Sequence, residues 1–224
     1  MLNAKDIKID KVIAILVSIS FVYLIIIANT IFVTYNKGLY LNEFRKQDTS
    51  SRVDDPGQKI DNIFNFFRHK EELNPADFDE EQVSHMLDVR DLYDASAIIF
   101  WIIFVLDIIA VLLLYYYFRK SLADIVKIAR NGAIITISFI LLLMLSMVTI
   151  FHFMFIKFHE VFFKPGTWTL SSSSTLIRLF PFEFWKDMSM TVVIYSLMAS
   201  AAILALSLAF LYLYKKQIIL SNKH

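Results

Sequence analysis

The stretch AIIFWIIFVLDIIAVLLLYYY, residues 97–117, decides the fold of this chain. It carries one charged side chain, Asp107, in a run as long as the roughly 20 residues that an α-helix needs to cross a bilayer. Similar runs lie at 12–34, 133–156 and 191–213, and none of the runs contains proline. Because a helix satisfies its own backbone hydrogen bonds in lipid, we predict an all-α membrane protein with four transmembrane helices in a single domain, 1–224.

The composition narrows the possible chemistry. Apolar residues make up 57% of the 224 residues, and cysteine is absent. The lack of cysteine excludes disulfides, thiolate metal sites and a cysteine nucleophile. The first apolar run follows Lys5, Lys8 and Lys11 as a secretory signal would. It exceeds the roughly 7–15 apolar residues of such a signal, so we interpret it as a retained helix.

The orientation follows from the basic residues near the ends of the runs. They gather in both terminal tails and in the connection between the second and third runs, as is typical of cytoplasmic segments. Both termini are therefore predicted to be cytoplasmic, and 35–96 and 157–190 to form an extracytoplasmic cap. Between Lys37 and Ser96 there are fourteen Asp/Glu and eight Lys/Arg. This acidic balance argues against nucleic acid as a partner, since phosphates need basic contacts.

The first outer segment, 35–96, contains two predicted helices. An apolar cluster favours a short amphipathic helix lying against the membrane surface; its members are Ile60, Ile63, Phe64, Phe66 and Phe67. Asn74-Pro75 ends that helix. Asp77 or Asp79 is suited to cap the next helix, which we expect to merge into the second span.

The second outer segment, 157–190, is crowded with aromatic residues. Aromatic side chains gather at lipid–water boundaries, so we interpret most of them as an interfacial anchor at the level of the lipid ester bonds. The serines from Ser171 to Ser174 are more typical of a polar turn than of a nucleophile.

Two histidine motifs fall in the outer segments: HMLDVR from His85 to Arg90, and FHEVFF from Phe158 to Phe163. Imidazole changes its charge near neutral pH, so two imidazoles brought together would suit proton transfer. On a helix, Asp88 is a neighbour of His85 and is placed to orient its ring. For an isolated pair of this kind, solvated charges at Asp88 and Arg90 are the more common outcome.

Two other polar residues, His152 and Asp107, are candidates for a functional role. His152 lies seven residues before His159, but the spacing of these histidines and His85 is not specific for zinc, and we predict no metal site. Asp107 lies in the middle of a span, where an ionised carboxylate costs about 2.5–3.5 kcal/mol. We expect Asp107 to be protonated or paired, in a structural role.

The two motifs together resemble the signatures of the bacterial lipoprotein intramolecular transacylases, a family of small four-span membrane proteins. The first signature, His-x-x-Asp-Val-(Arg/Lys) before the second span, is matched by His85, Asp88, Val89 and Arg90. The second combines Phe-His-x-x-Phe-Phe, a tryptophan and Leu-Ile-x-x-Phe-Pro-x-x-Phe. It is matched by Phe158, His159, Phe162, Phe163, Trp168, Leu176, Ile177, Phe180, Pro181 and Phe184. The chain departs from the pattern at Ser173 and Ser174, where acidic residues often precede the Leu-Ile pair.

The resemblance implies an acyl transfer within a diacylglyceryl-modified lipoprotein at the outer face of the bacterial cell membrane. The sn-2 acyl chain would move to the α-amino group of the N-terminal cysteine, with membrane lipid as surroundings and no cofactor. It implies His85 and His159 as an acid–base pair, with Asp88 or Glu160 orienting a ring. Arg90 or Arg178 would hold the ester oxygen, and Phe162, Phe163 and Trp168 would line the acyl groove.

Two other functions are compatible with the same residues. The chain would be a non-enzymatic sensor if its outward histidines only titrate with external pH. It would be a phospholipid acyltransferase or hydrolase if the same pair acts on lipid alone.

Overall fold

The computed structural model describes residues 4–221, with side chains from Lys8 onward. Lys5 and Lys223 of the orientation argument are thus beyond the described side chains. Helices hold 82% of the described residues and strands none, so the all-α prediction is confirmed. The α-helices are α1 Ala4–Thr34, α2 Lys37–Lys46, α3 Pro56–Phe67, α4 Glu80–Leu112, α5 Leu122–Thr149, α6 Phe151–Phe162, α7 Thr175–Leu179 and α8 Phe182–Ser221.

Four of these helices are long and apolar enough to span a membrane, as predicted: Lys8–Thr34, Glu80–Tyr117, Leu122–Thr149 and Phe182–Ser221. The second of them ends in a π-helical turn, Leu113–Tyr117. The prediction of a third span over 133–156 is wrong at the C-terminal end of that span. The helix stops at Thr149, and α6 begins after Ile150, whose φ of −135° and ψ of 25° leave the helical region. The apolar sequence continues through this break, so hydropathy alone does not reveal it.

The backbone divides into two compact units. The first comprises the chain up to Asn29, Ile98–Met144 and the chain from Val193. Its core is formed by α1, the π-helical turn and α5, with four buried side chains at the centre: Val17, Leu114, Phe118 and Ile128. Gly132 lets α5 approach α1, because a Cβ there would lie 2.7 Å from the Phe21 ring. Asp107 belongs to this unit and accepts a 2.5 Å hydrogen bond from Ser20 Oγ, a pairing that fits a structural role.

The second unit comprises Thr30–Ala97 and Leu145–Val192. It contains both segments predicted to lie outside, although the sidedness of the chain stays a prediction. Its core is aromatic: the Tyr40 ring lies 5.1 Å from Phe64 and 5.5 Å from Phe184. Ion pairs join its parts, including Lys37–Asp61 at 2.6 Å and Lys46–Asp187.

The helix predicted to lie on the membrane surface, α3, is instead part of this core. Its five apolar residues, Ile60, Ile63, Phe64, Phe66 and Phe67, are all buried by protein. Asp55 caps the helix by accepting from the Gln58 N–H, and Pro56 starts its first turn. The amphipathic pattern was correct, but such a pattern does not distinguish a protein partner from a lipid one.

Candidate active site

The first motif lies on the polar beginning of α4, where Asp79 caps the helix by accepting from Gln82 N at 2.9 Å. Six charged side chains occur from Glu80 to Asp94, before the apolar run begins at Ala97. His85 is therefore twelve residues short of the apolar run and outside its membrane-spanning part. One helical turn earlier, the buried Gln82 side chain accepts a 2.9 Å hydrogen bond from Leu176 N in α7. This bond ties the beginning of α4 to the second outer segment.

The second motif forms the end of α6, and it brings His159 onto His85. The two imidazole rings are stacked, with centroids 6.2 Å apart and an interplanar angle of 25°. The residues are far apart in sequence, yet both belong to the second unit. Stacking at this distance makes any charge on one ring felt by the other.

Two aromatic side chains enclose the pair. The buried Phe163 ring lies 5.1 Å from His85 and 5.2 Å from His159. Trp168 lies 5.0 Å from His159, in the loop that follows α6. The two histidine side chains are thus half-buried among aromatic rings.

The His159 ring is oriented by the backbone. Its Nδ1 atom lies 2.7 Å from the Phe155 carbonyl oxygen, one helical turn earlier. Because a carbonyl oxygen only accepts, Nδ1 carries the proton and the neutral ring keeps its lone pair on Nε2. From the sequence we expected Asp88 or Glu160 to orient a ring, and we did not expect the Phe155 carbonyl group. Every residue has a backbone carbonyl group, so the sequence gives no sign of which one binds a side chain.

Burial disfavours the charged form of both rings. It lowers the pKa of His85 to about 4, with the neighbouring His159 as a further cause and the Asp88 charge acting in the opposite direction. Burial also lowers the pKa of His159, although its hydrogen bond to the Phe155 carbonyl opposes this shift. Burial therefore favours the uncharged form of both rings, which is the form that can accept a proton.

Asp88 and Arg90 lie beside His85 but do not bond to it in the part of the chain that the structure describes. His85 Nδ1, Asp88 Oδ2 and Arg90 Nε are all buried without a hydrogen-bond partner there. The Arg90 guanidinium lies 4.1 Å from the centre of the Phe66 ring, over its face, and Nη1 donates to the Phe66 carbonyl at 3.4 Å. Arg90 thus packs against α3.

The remaining predicted residues are on the outside of the site. Glu160 forms a 2.6 Å ion pair with Lys157, and both are exposed. Phe162 is 52% exposed, so of the predicted groove residues only Phe163 and Trp168 enclose the histidines. Arg178 is exposed in the last turn of α7.

A cavity of 280 Å³ opens beside the pair. It is lined by Glu160, Phe163, Pro165, Gly166, Trp168 and Thr169. Two of its walls, Phe163 and Trp168, are the rings that contact His159. Gly166 has a φ of +88°, which only glycine adopts easily, and it allows the loop to turn around the cavity.

Two other sequence candidates lie apart from this arrangement. The exposed His152 packs its ring 5.3 Å from Phe182. In residues 4–221 no three His, Asp or Glu side chains gather as a metal site would require. Ser174 caps α7 by accepting from Ile177 N at 3.3 Å, a role that an acidic residue would fill equally well.

Comparison with known proteins identifies a family that this chain matches. A family model described as lipoprotein intramolecular transacylase Lit matches residues 15–185. An uncharacterized protein from Aquifex aeolicus is 37% identical over 67 residues, which are 29% of this chain and 31% of that protein. The chain therefore matches under a third of the length of that relative.

Solved structures share the fold. That of the membrane integral lipoprotein intramolecular transacylase Lit from Bacillus cereus matches with a TM-score of 0.80 and 22% identity, over 95% of this chain and 99% of that chain. A variant of the same protein, with one histidine replaced by arginine, matches with a TM-score of 0.77. Since the family model covers residues 15–185 of 224, this chain belongs to the lipoprotein intramolecular transacylase (Lit) family.

Proposed function

We propose that the chain moves the sn-2 acyl chain of a diacylglyceryl-modified lipoprotein to the α-amino group of its N-terminal cysteine. Family membership supports a multi-pass membrane acyltransferase that processes lipoproteins. The observation that carries the finer proposal is the stacked pair of His85 and His159, held neutral among aromatic rings.

The reaction removes two protons from the nitrogen of the α-ammonium group. An α-amino group has a pKa of roughly 7.7–8.0, so it must lose a proton before or during its attack on the ester carbonyl. The ammonium group first gives one proton to the solvent, and the neutral amine then attacks. The new C–N bond forms as the ester C–O bond breaks, and the second proton lost by nitrogen ends on the glycerol oxygen. Apart from the proton released to the solvent, atoms and charge balance within one substrate molecule, and the product has the same mass as the neutral substrate.

We assign His159 as the base. Its Nδ1–H is bound to the Phe155 carbonyl, which leaves Nε2 free to accept the proton and supports the charge that develops. Positioned acid–base groups contribute about 10²- to 10⁴-fold to such steps.

We assign His85 as the partner that returns a proton to the leaving oxygen. The stacked rings hold only one extra proton comfortably, because a charge on either lowers the affinity of the other. The proton accepted from the amine is therefore the one available to the glycerol oxygen. Asp88, whose charge favours protonation of His85, supports this direction of transfer.

The enzyme gains most from holding one molecule in an attack geometry, which intramolecular reactions reward strongly. Phe163 and Trp168 line the site and exclude water from the ester, while Phe162 extends the apolar surface outward. Of the two arginines, Arg90 is engaged with Phe66, so Arg178 is the stronger candidate to stabilise the oxyanion. The site would face outward in the bacterial cell membrane.

Mass spectrometry of one lipoprotein's N-terminal peptide tests the proposal, in a host that lacks N-acylation. With the gene present we expect an unchanged mass and fragments that carry an acyl group on nitrogen. A gain or loss of one acyl chain would point to exchange with phospholipid or to hydrolysis. An unaltered peptide would leave only the sensor function and would overturn the proposal.

A further inference from the structure

We propose that Glu160 and the face of Trp168 form a subsite for the α-ammonium group of the substrate, in the 280 Å³ cavity beside His159. This inference rests on the proposed function, in which the reacting nitrogen arrives largely protonated at neutral pH. It gives Glu160 a role in binding, in place of the ring-orienting role that the sequence suggested.

The cavity has the composition that recognises a small cation. Glu160 contributes a negative charge, and Trp168 contributes the aromatic face that attracts cations most strongly. Thr169 contributes a hydroxyl group at the same wall. Its other lining residues, Phe163, Pro165 and Gly166, are uncharged, so Glu160 is the single charged group in the lining.

The cavity shares two of its walls with the surroundings of the proposed base. Trp168 and Phe163, two of its walls, lie 5.0 and 5.2 Å from the His159 ring. An ammonium group held in the cavity therefore lies beside the two aromatic rings that contact the proposed base. Glu160 follows His159 in sequence, and the same last turn of α6 fixes both residues.

The present partner of Glu160 is easily exchanged. Its ion pair with Lys157 spans three residues on one helix, and the side chains are 46% and 53% exposed. Exposed pairs of this kind contribute little to stability. A substrate ammonium entering the cavity can replace Lys157 at the carboxylate with little disruption of α6.

The subsite also predicts a preference for unmodified amines. An N-acylated lipoprotein has an uncharged amide where the substrate has an ammonium group. The carboxylate of Glu160 attracts the ammonium group, whereas it offers the uncharged amide nothing in exchange for the water that the amide loses on binding. Glu160 is thus a specificity-determining residue that acts before the proton transfer.

The test uses the full-length protein and a synthetic diacylglyceryl-cysteine peptide with a free α-amine. At pH 6.5, Glu160→Gln should raise KM about three- to tenfold and leave kcat nearly unchanged. At pH 9, where the amine is mostly neutral, the KM of the variant and that of the unmodified enzyme should converge. A KM difference that persists at pH 9 would overturn the subsite, since a purely structural loss does not depend on the charge of the substrate.

Lys157→Gln is the matched control, because it breaks the same ion pair and keeps the carboxylate. We expect its KM to be unchanged or lower. A rise in KM equal to that of Glu160→Gln would show that the ion pair itself matters and would also overturn the subsite. If the unmodified enzyme does not convert the peptide, the proposed function fails; if it does and Glu160→Gln behaves identically, only this inference fails.

Discussion

At the scale of single residues, the proposed acyl transfer depends on His85 and His159. Replacing either by alanine should lower the rate of acyl transfer at least about 100-fold, because each removes one partner of the proton transfer. His152→Ala is the matched control, since its exposed ring packs on Phe182 and we expect a rate close to normal. Rates come from tandem mass spectrometry of the converted peptide. A normal rate in the His85→Ala variant would contradict the assignment of His85 to the proton transfer.

The pH dependence of the reaction reports the burial of His159. Since burial lowers the pKa of this histidine below its ordinary value, protonation of the base should slow the reaction only as the pH drops through that lowered value. Trp168→Leu should expose the ring to water and move this acid limb to higher pH. The substrate amine is the same in both enzymes, so the displacement between their pH–rate profiles isolates the histidine. Profiles that coincide would contradict the burial argument.

The sequence predicted these side chains but not the groups that hold them. Motifs at His85 and His159 were visible because side chains carry the signal. The Phe155 carbonyl that fixes the tautomer of His159 belongs to the backbone, and Gln82, which ties α4 to α7, has no distinguishing pattern around it. Both depend on three-dimensional contacts that follow only from the folded chain.

At the scale of helices, Gln82 should carry more stability than its position suggests. Gln82→Leu leaves the buried Leu176 N–H without its acceptor, which typically costs about 1–3 kcal/mol. We expect a lower thermal midpoint of the purified protein in detergent. The exposed neighbour provides the comparison, because Glu81→Gln should change the free energy of unfolding by less than about 0.5 kcal/mol. Equal midpoints for both variants would argue against the tie between α4 and α7.

Helix packing in the first unit is tested at Gly132. An added methyl group would lie 2.7 Å from Phe21 Cγ, so Gly132→Ala should overpack the contact between α1 and α5. Overpacking costs about 1–3 kcal/mol, again measurable as a lower thermal midpoint. Gly57→Ala is the control, because its Cβ would meet neighbours at 3.6 Å and beyond, an ordinary contact. A stable Gly132→Ala variant would mean that Phe21 moves aside freely.

Helix existence was easier to predict than helix partners. Length and hydropathy were enough to predict the four membrane-spanning helices. The apolar face of α3 was predicted to contact lipid, but it packs on protein. Many aromatic residues assigned to an interfacial anchor are also core residues, as Phe180 and Phe184 show. Hydrophobicity specifies that a surface is buried, and the surrounding fold decides by what.

At the scale of the whole molecule, the sidedness of the chain is open to a direct test. The absence of cysteine allows single cysteines to be introduced without background. Lys70→Cys, in the predicted cap, should react with a membrane-impermeant maleimide in intact cells, and Lys127→Cys only after lysis. The reverse pattern would place the histidine pair at the cytoplasmic face and contradict the proposed localisation.

In the proposed reaction the acyl group never leaves its own molecule. A crossover experiment distinguishes this transfer from transfer between molecules. The purified enzyme receives an equal mixture of two diacylated peptides, one light throughout and one with isotopic labels in both the sn-2 acyl chain and the peptide. We expect N-acylated products that are either wholly light or doubly labelled. Products that combine a labelled acyl chain with a light peptide would show transfer between molecules and would contradict the proposed reaction.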